Sequence, residues 1–144
     1  MKISSRVDYA LSCLLRITDK NRKNIPITVR AIAEKEDIKP DYAESLCVTM
    51  KRAGILKSVR GKAGGYVLNR KPGEITAKDV LLAIEKSVLK PVCDRKKGRR
   101  KKCMHIKDCR IRFLWENLKK DIEKSLSKYT VEDLLRYRRK EKNW

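Results

Sequence analysis

Residues 93–109, CDRKKGRRKKCMHIKDC, gather three cysteines and the chain's only histidine into seventeen positions, with seven Lys or Arg between the first two cysteines. Thiolates are soft ligands suited to iron-sulfur clusters and to zinc. A cationic surround stabilises the thiolate and makes a bound cluster easier to reduce. Cys93, Cys103, His105 and Cys109 also amount to a Cys3His set, an ordinary composition for structural zinc, although the paired C-x2-C knuckle is missing. The positive charge has a second use as a phosphate clamp. Iron-sulfur, zinc and no metal all stand as readings of this segment. Five cysteines are an odd number, and in a reducing compartment closely spaced thiols point to metal or redox chemistry before disulfides. The other two, Cys13 and Cys47, fall at or beside apolar helical faces and read as inert core thiols.

The elements around this segment are mainly helical. Ile3, Val7, Ala10, Leu11, Leu14 and Ile17 recur at helical spacing and predict a first helix from Ser4 to Thr18. NRKNIP is turn chemistry. Thr28 can cap a short helix from Val29 to Glu36, with Ile32 and Ala33 inward, and EDIK breaks it. Pro40 suits the first position of a third helix ending at Ala53, with Tyr42, Leu46, Thr49, Met50 and Ala53 on its apolar side and Gly54 as the stop. Two helices joined by a short turn make a helix-turn-helix candidate. ILKSV and YVLN then flank RGKAGG, whose glycines permit a hairpin, so the pair reads as a two-stranded wing. Pro72 and Gly73 close the wing, and Thr76 caps a fourth helix from Ala77 to Glu85.

After the polar loop, Ile111, Leu114, Trp115, Leu118 and Ile122 form the stripe of a long helix, about Arg110 to Ser127, of the kind that meets a partner helix. TVEDLL starts a last short helix with a Thr130 and Asp133 capping box, and a basic tail follows. The organisation read from this is a winged helix-turn-helix over 1–86, a cysteine-bearing loop over 87–109, and a dimerisation helix with C-terminal helix and tail over 110–144.

Thirty-eight Lys+Arg against eighteen Asp+Glu give a formal charge of +20, which predicts a polyanionic partner. No apolar run approaches the ~20 residues of a spanning helix, and MKISSRVDYA lacks a signal peptide's apolar core, so the expectation is a cytoplasmic protein on double-stranded DNA. With Tyr42, Leu46 and Met50 inward, Asp41, Glu44, Val48 and Lys51 share the outer face of the third helix, the face that would enter the major groove. A carboxylate such as Glu44 is repelled by phosphate and earns its place at a base edge only by accepting from cytosine N4. Arg60 and Lys62 at the wing tip can reach the minor groove or phosphates, and Arg6, Arg30, Lys39 and Lys51 can supply backbone contacts. Neutralising about six to ten phosphates would cost about three to five decades of affinity between low and moderate salt. A structural zinc protein binding RNA is the rival class. An enzyme is disfavoured: no nucleophile and base pair up, and GKAGG lacks the lysine and serine of a phosphate-cradling loop.

With these residues in view, the chain resembles the winged-helix repressors typified by IscR, NsrR and CymR. The resemblance rests on MKISSRVDYAL, IKPDYAESL and above all AGILKSVRGKAGGYVLNR, followed by a cysteine-bearing loop and a long helix. It implies a homodimer joined through the long helix, a near-palindromic operator, and base-reading and wing roles for Glu44 and Arg60. Several members hold an iron-sulfur cluster, 2Fe-2S or 4Fe-4S, on three loop cysteines, which maps onto Cys93, Cys103 and Cys109. The spacing here is Cys-x9-Cys-x5-Cys, whereas the family's first gap is commonly shorter. A nitric-oxide-sensing branch places a carboxylate reaching the partner subunit's cluster where this chain has Asp8, although Ser5 and Asp8 also read as an S-x-x-D capping box. His105 is the second candidate ligand, but IscR-like proteins use a histidine just after the last cysteine, where Arg112 stands here. The family also has a cluster-free branch.

Overall fold

The computed structural model describes residues 4–21, 25–89 and 109–137; Ile3, most of the cysteine-bearing loop and the basic tail lie outside this set. Helix α1 spans Ser5–Asn21, beyond the stop expected at Thr18. Thr18 does not end it because its hydroxyl donates to the Leu14 carbonyl at 2.7 Å, inside the helix, and neither proline nor glycine follows. Val7, Ala10, Cys13, Leu14 and Ile17 form its buried stripe. The start is also one residue later than expected. Ser4 precedes the helix, its carbonyl accepting from Val7 N at 2.9 Å and its hydroxyl from Arg6 N at 3.3 Å. Ser5 is therefore already helical, and Asp8 lies one place past the position a capping box requires.

Helix α2 covers Val29–Glu36, with the Thr28 hydroxyl accepting from Ala31 N at 3.2 Å. The chain reverses through Asp37, in the left-handed region at φ 51°, and Ile38 N closes the turn onto the Ala33 carbonyl at 3.1 Å. Helix α3 follows over Pro40–Arg52, proline first, where a missing N–H is harmless. Its buried face is Ala43, Leu46, Cys47 and Met50. This is rotated from the expected set: Tyr42 and Thr49 lie half-buried at its edges and Ala53 is exposed, because Ala43 and Cys47 are small enough to sit where helices meet.

Strands β1 (Leu56–Val59) and β2 (Gly65–Leu68) pair antiparallel, with Leu56 opposite Leu68 and Ser58 opposite Tyr66. Beyond β2, Tyr66 and Ile27 exchange backbone bonds at 2.8 and 3.2 Å, so the strand is flanked on both sides. Gly65 makes that approach feasible: it sits at φ +150°, and a Cβ there would lie 2.3 Å from the Ile27 carbonyl oxygen. A 3-10 turn at Pro72–Glu74 leads to α4, Ala77–Glu85, closed by a reciprocal pair in which Thr76 Oγ1 accepts from Asp79 N and Asp79 accepts from Thr76 N.

After the loop come α5 (Arg110–Leu126) and α6 (Val131–Arg136). The Thr130 and Asp133 capping box forms as the sequence predicts. Periodicity gives no hint of where this segment goes. Val131 is fully buried as part of the core, with Val131 N donating to the Ile75 carbonyl at 2.9 Å and Ala77 N to the Tyr129 carbonyl at 2.8 Å. The architecture is thus mainly α, a winged helix-turn-helix with a two-stranded wing and a long C-terminal helix.

Candidate nucleic-acid interface and thiol site

Packing Ala43, Leu46, Cys47 and Met50 inward turns the opposite side of α3 to solvent. Asp41, Glu44 and Lys51 are exposed there and Val48 is half-buried, while Ser45 and Arg52, not singled out from the sequence, share the same side. Two of these side chains are held by the wing. The Tyr66 hydroxyl donates to Glu44 Oε1 at 2.9 Å, and Lys51 Nζ donates to Ser58 Oγ at 2.8 Å. Tyr66 is 7 % exposed. Burial, and next the bond to the Glu44 carboxylate, push its hydroxyl up to about 12. No local pattern could have flagged these pairs, since they join residues 22 and 7 positions apart on different elements.

The remaining basic candidates are exposed. Arg60 and Lys62 stand at the wing loop, Lys39 precedes α3, Arg6 lies in the first turn of α1, and Arg30 on α2 pairs with Glu34 at 3.2 Å. An exposed pair of that kind is weak and leaves Arg30 available to an anion.

The thiols divide into two classes. Cys13 and Cys47 are fully buried, and burial raises them to about 11 and about 12, so both stay neutral and neither suits a metal. Cys109 is free, half-buried, and occupies the cap position immediately before α5. Cys93, Cys103 and His105 lie outside the described residues, and among the described residues no group of three metal-ligating side chains is assembled. With the two core thiols removed, the donors left to a soft metal are Cys93, Cys103 and Cys109, and three thiols match iron-sulfur or zinc in donor chemistry. Asp8 is exposed on the first turn of α1.

Along α5, Ile111 is 65 % exposed, Phe113 72 % and Leu114 56 %, a run of large apolar side chains open to solvent. No helix among the described residues is long and apolar enough to cross a membrane.

A helix-turn-helix with a wing bonded to its second helix, in a chain of charge +20, defines a DNA-binding protein. Residues 3–137 match the Rrf2 family, described as iron-dependent transcriptional regulators, and the chain belongs to that family. It is similar to the HTH-type transcriptional regulator CymR of Bacillus subtilis, 30 % identical over 137 residues, covering 95 % of this chain and 91 % of CymR. To the regulator IscR of Xenorhabdus nematophila it is 29 % identical over 136 residues, covering 94 % of this chain and 80 % of IscR. Among solved structures, T. potens IscR superposes with a TM-score of 0.70 at 28 % identity, covering 94 % of this chain and 87 % of that one. The chain is accordingly a DNA-binding transcriptional regulator and not an enzyme.

Proposed function

We propose that the chain is a cytoplasmic, homodimeric repressor of a near-palindromic operator, whose DNA affinity is set by an iron-sulfur cluster on Cys93, Cys103 and Cys109. The dimer reading rests on the open apolar side of α5, which is of the kind a second copy of the same helix would cover. Two α3 helices would then enter successive major-groove segments, with Glu44 accepting from a base and Arg60 and Lys62 on the backbone or in the minor groove.

The observation that carries the switch is the place of Cys109. It caps α5, so whatever its thiolate holds is tied to the first residue of the helix proposed to join the protomers. A bound cluster would supply a linkage sensitive to redox state, nitric oxide or cluster supply. Asp8, exposed on α1, is the chain's carboxylate candidate for a fourth ligand on the partner's cluster, and His105 is the other candidate.

Anaerobic purification with iron, sulfide and zinc analysis, followed by operator titration of the native protein and Cys103→Ala, tests this reading. Sulfide-containing brown protein whose operator affinity changes in the variant is expected. Colourless protein that takes up no iron and sulfide on reconstitution, whether zinc-bound or metal-free, would reject the cluster and leave a cluster-free family regulator.

A further inference from the structure

Glu44 has two carboxylate oxygens and is exposed on α3, where a free side chain would sample several rotamers. One oxygen, Oε1, accepts from the Tyr66 hydroxyl at 2.9 Å. Tyr66 itself has little freedom. Its ring is in the core, and its backbone N–H and C=O both bond Ile27 on the far side of the strand, at 2.8 and 3.2 Å. In an antiparallel ladder both backbone groups of a residue point the same way, so Tyr66 and Ser58 face one another as a non-hydrogen-bonded pair, the closer of the two kinds. Ser58, on the same sheet face, takes Lys51 Nζ at 2.8 Å. Glu44 and Lys51 are seven residues apart, two turns or about 10 Å along α3. One cross-strand rung of the wing therefore holds the reading helix at two points.

We infer that Tyr66 is a positioning residue for base selection: its hydroxyl fixes the Glu44 carboxylate so that the second oxygen faces the groove, making the wing part of the sequence-reading device as well as a backbone clamp. This rests on the reading of Glu44 as a base contact. Burial is the main cause of the raised Tyr66 hydroxyl, and the bond to the charged Glu44 acceptor adds to it. An unbraced glutamate would meet the groove in several orientations and discriminate less, while still repelling phosphate.

The test uses the full chain, a duplex selected by the native protein from a random pool, and every single-base-pair variant of that duplex. E44A should lose preference at one base pair of each half-site, where the native protein discriminates by about five- to a hundredfold. Y66F keeps the core ring, and a thermal midpoint and affinity for an unrelated duplex within about threefold of native would show intact folding and backbone contacts. Y66F is expected to lose most of the preference at that same base pair and at no other, and adding Y66F to E44A should change nothing further. Full native discrimination by Y66F, alongside loss in E44A, overturns the positioning role alone. E44A with unchanged preference at every base pair overturns the base-reading proposal and this one with it. A second measurement leaves Tyr66 untouched: E44Q keeps an acceptor oxygen but removes the charge, and should bring the Tyr66 ionisation, followed by NMR of that ring, part of the way down from about 12, with burial keeping the rest of the shift. An unchanged titration would mean that no charged Glu44 carboxylate sits on the Tyr66 hydroxyl, against the brace.

Discussion

Gly65→Ala tests the geometry of the wing at its tightest point. The new Cβ would lie 2.3 Å from the Ile27 carbonyl oxygen, 2.5 Å from its carbon and 2.9 Å from Thr28 N, all backbone atoms that cannot swing away. Alanine must also hold φ near +150°, which costs about 1–3 kcal/mol in a sparsely populated region. Relieving the overlap means parting Ile27 from Tyr66 and losing two backbone bonds, about 0.5–1.5 kcal/mol each. The total is about 2–6 kcal/mol, a large share of the roughly 5–15 kcal/mol of a typical domain. Urea unfolding followed by circular dichroism, at one protomer concentration for all samples, should show the midpoint falling by about 1–3 M. Gly54→Ala is the internal control: its φ is +72° and nothing lies within 4 Å of the new Cβ, so only the left-handed cost of about 1–2 kcal/mol applies. If Gly65→Ala proves no more harmful than Gly54→Ala, the close approach of β2 to Ile27 is not what holds the wing.

Native protein treated with iodoacetamide at pH 8 should keep Cys13 and Cys47 unmodified until denaturant is added, since at pKa values of about 11 and 12 no more than roughly a thousandth is thiolate; labelling of either at the rate of a free thiol, read by peptide mass spectrometry, contradicts their burial. Bonds from Thr130 hold the Asp133 carboxyl below its ordinary value. A depressed carboxyl contributes stability that is complete above the unfolded value of about 4 and is lost as pH falls through the folded one, so the destabilisation by Thr130→Ala should be larger at pH 6 than in strong acid, where only the lost cap bond to Asp133 N remains. A constant gap in urea midpoint across that range would refute the linkage. Leu114→Asp, placing a charge in the exposed apolar run of α5, should halve the mass found by light scattering while helical content stays, and an unchanged mass would remove α5 from the dimer contact.

Caps and turns were legible in the sequence because each is a local bargain: Thr28, Thr76 and Thr130 all cap where their spacing to the next apolar run predicts. The core side of α3 was less so. Periodicity weights large apolar residues, whereas the close helix contacts fell to Ala43 and Cys47, whose size and not hydrophobicity suits them. Asp8 and Ser5 illustrate a different limit, since Ser4 and Ser5 are the same residue type and only the observed helix start tells which one caps. The braces on Glu44 and Lys51, and the docking of Val131, are tertiary facts that join distant positions and leave no mark on any window of sequence. The cysteine cluster shows the converse, a signal plain in composition that lies mostly outside the described residues.

The docking of Val131 turns α5 into a lever. Its C-terminal end is moored: the Tyr129 carbonyl accepts from Ala77 N at the start of α4, Val131 N donates to Ile75 just before it, and Glu123 pairs with Lys78 at 3.5 Å. Its first two turns, Arg110 to Glu116, are exposed to solvent along their whole length. Seventeen helical residues span about 25 Å, so a tilt of about 10° about the mooring carries the far end through about 4 Å. Cys109 sits at that far end, where a given torque needs the least force and where a small local rearrangement is read out as the largest arc.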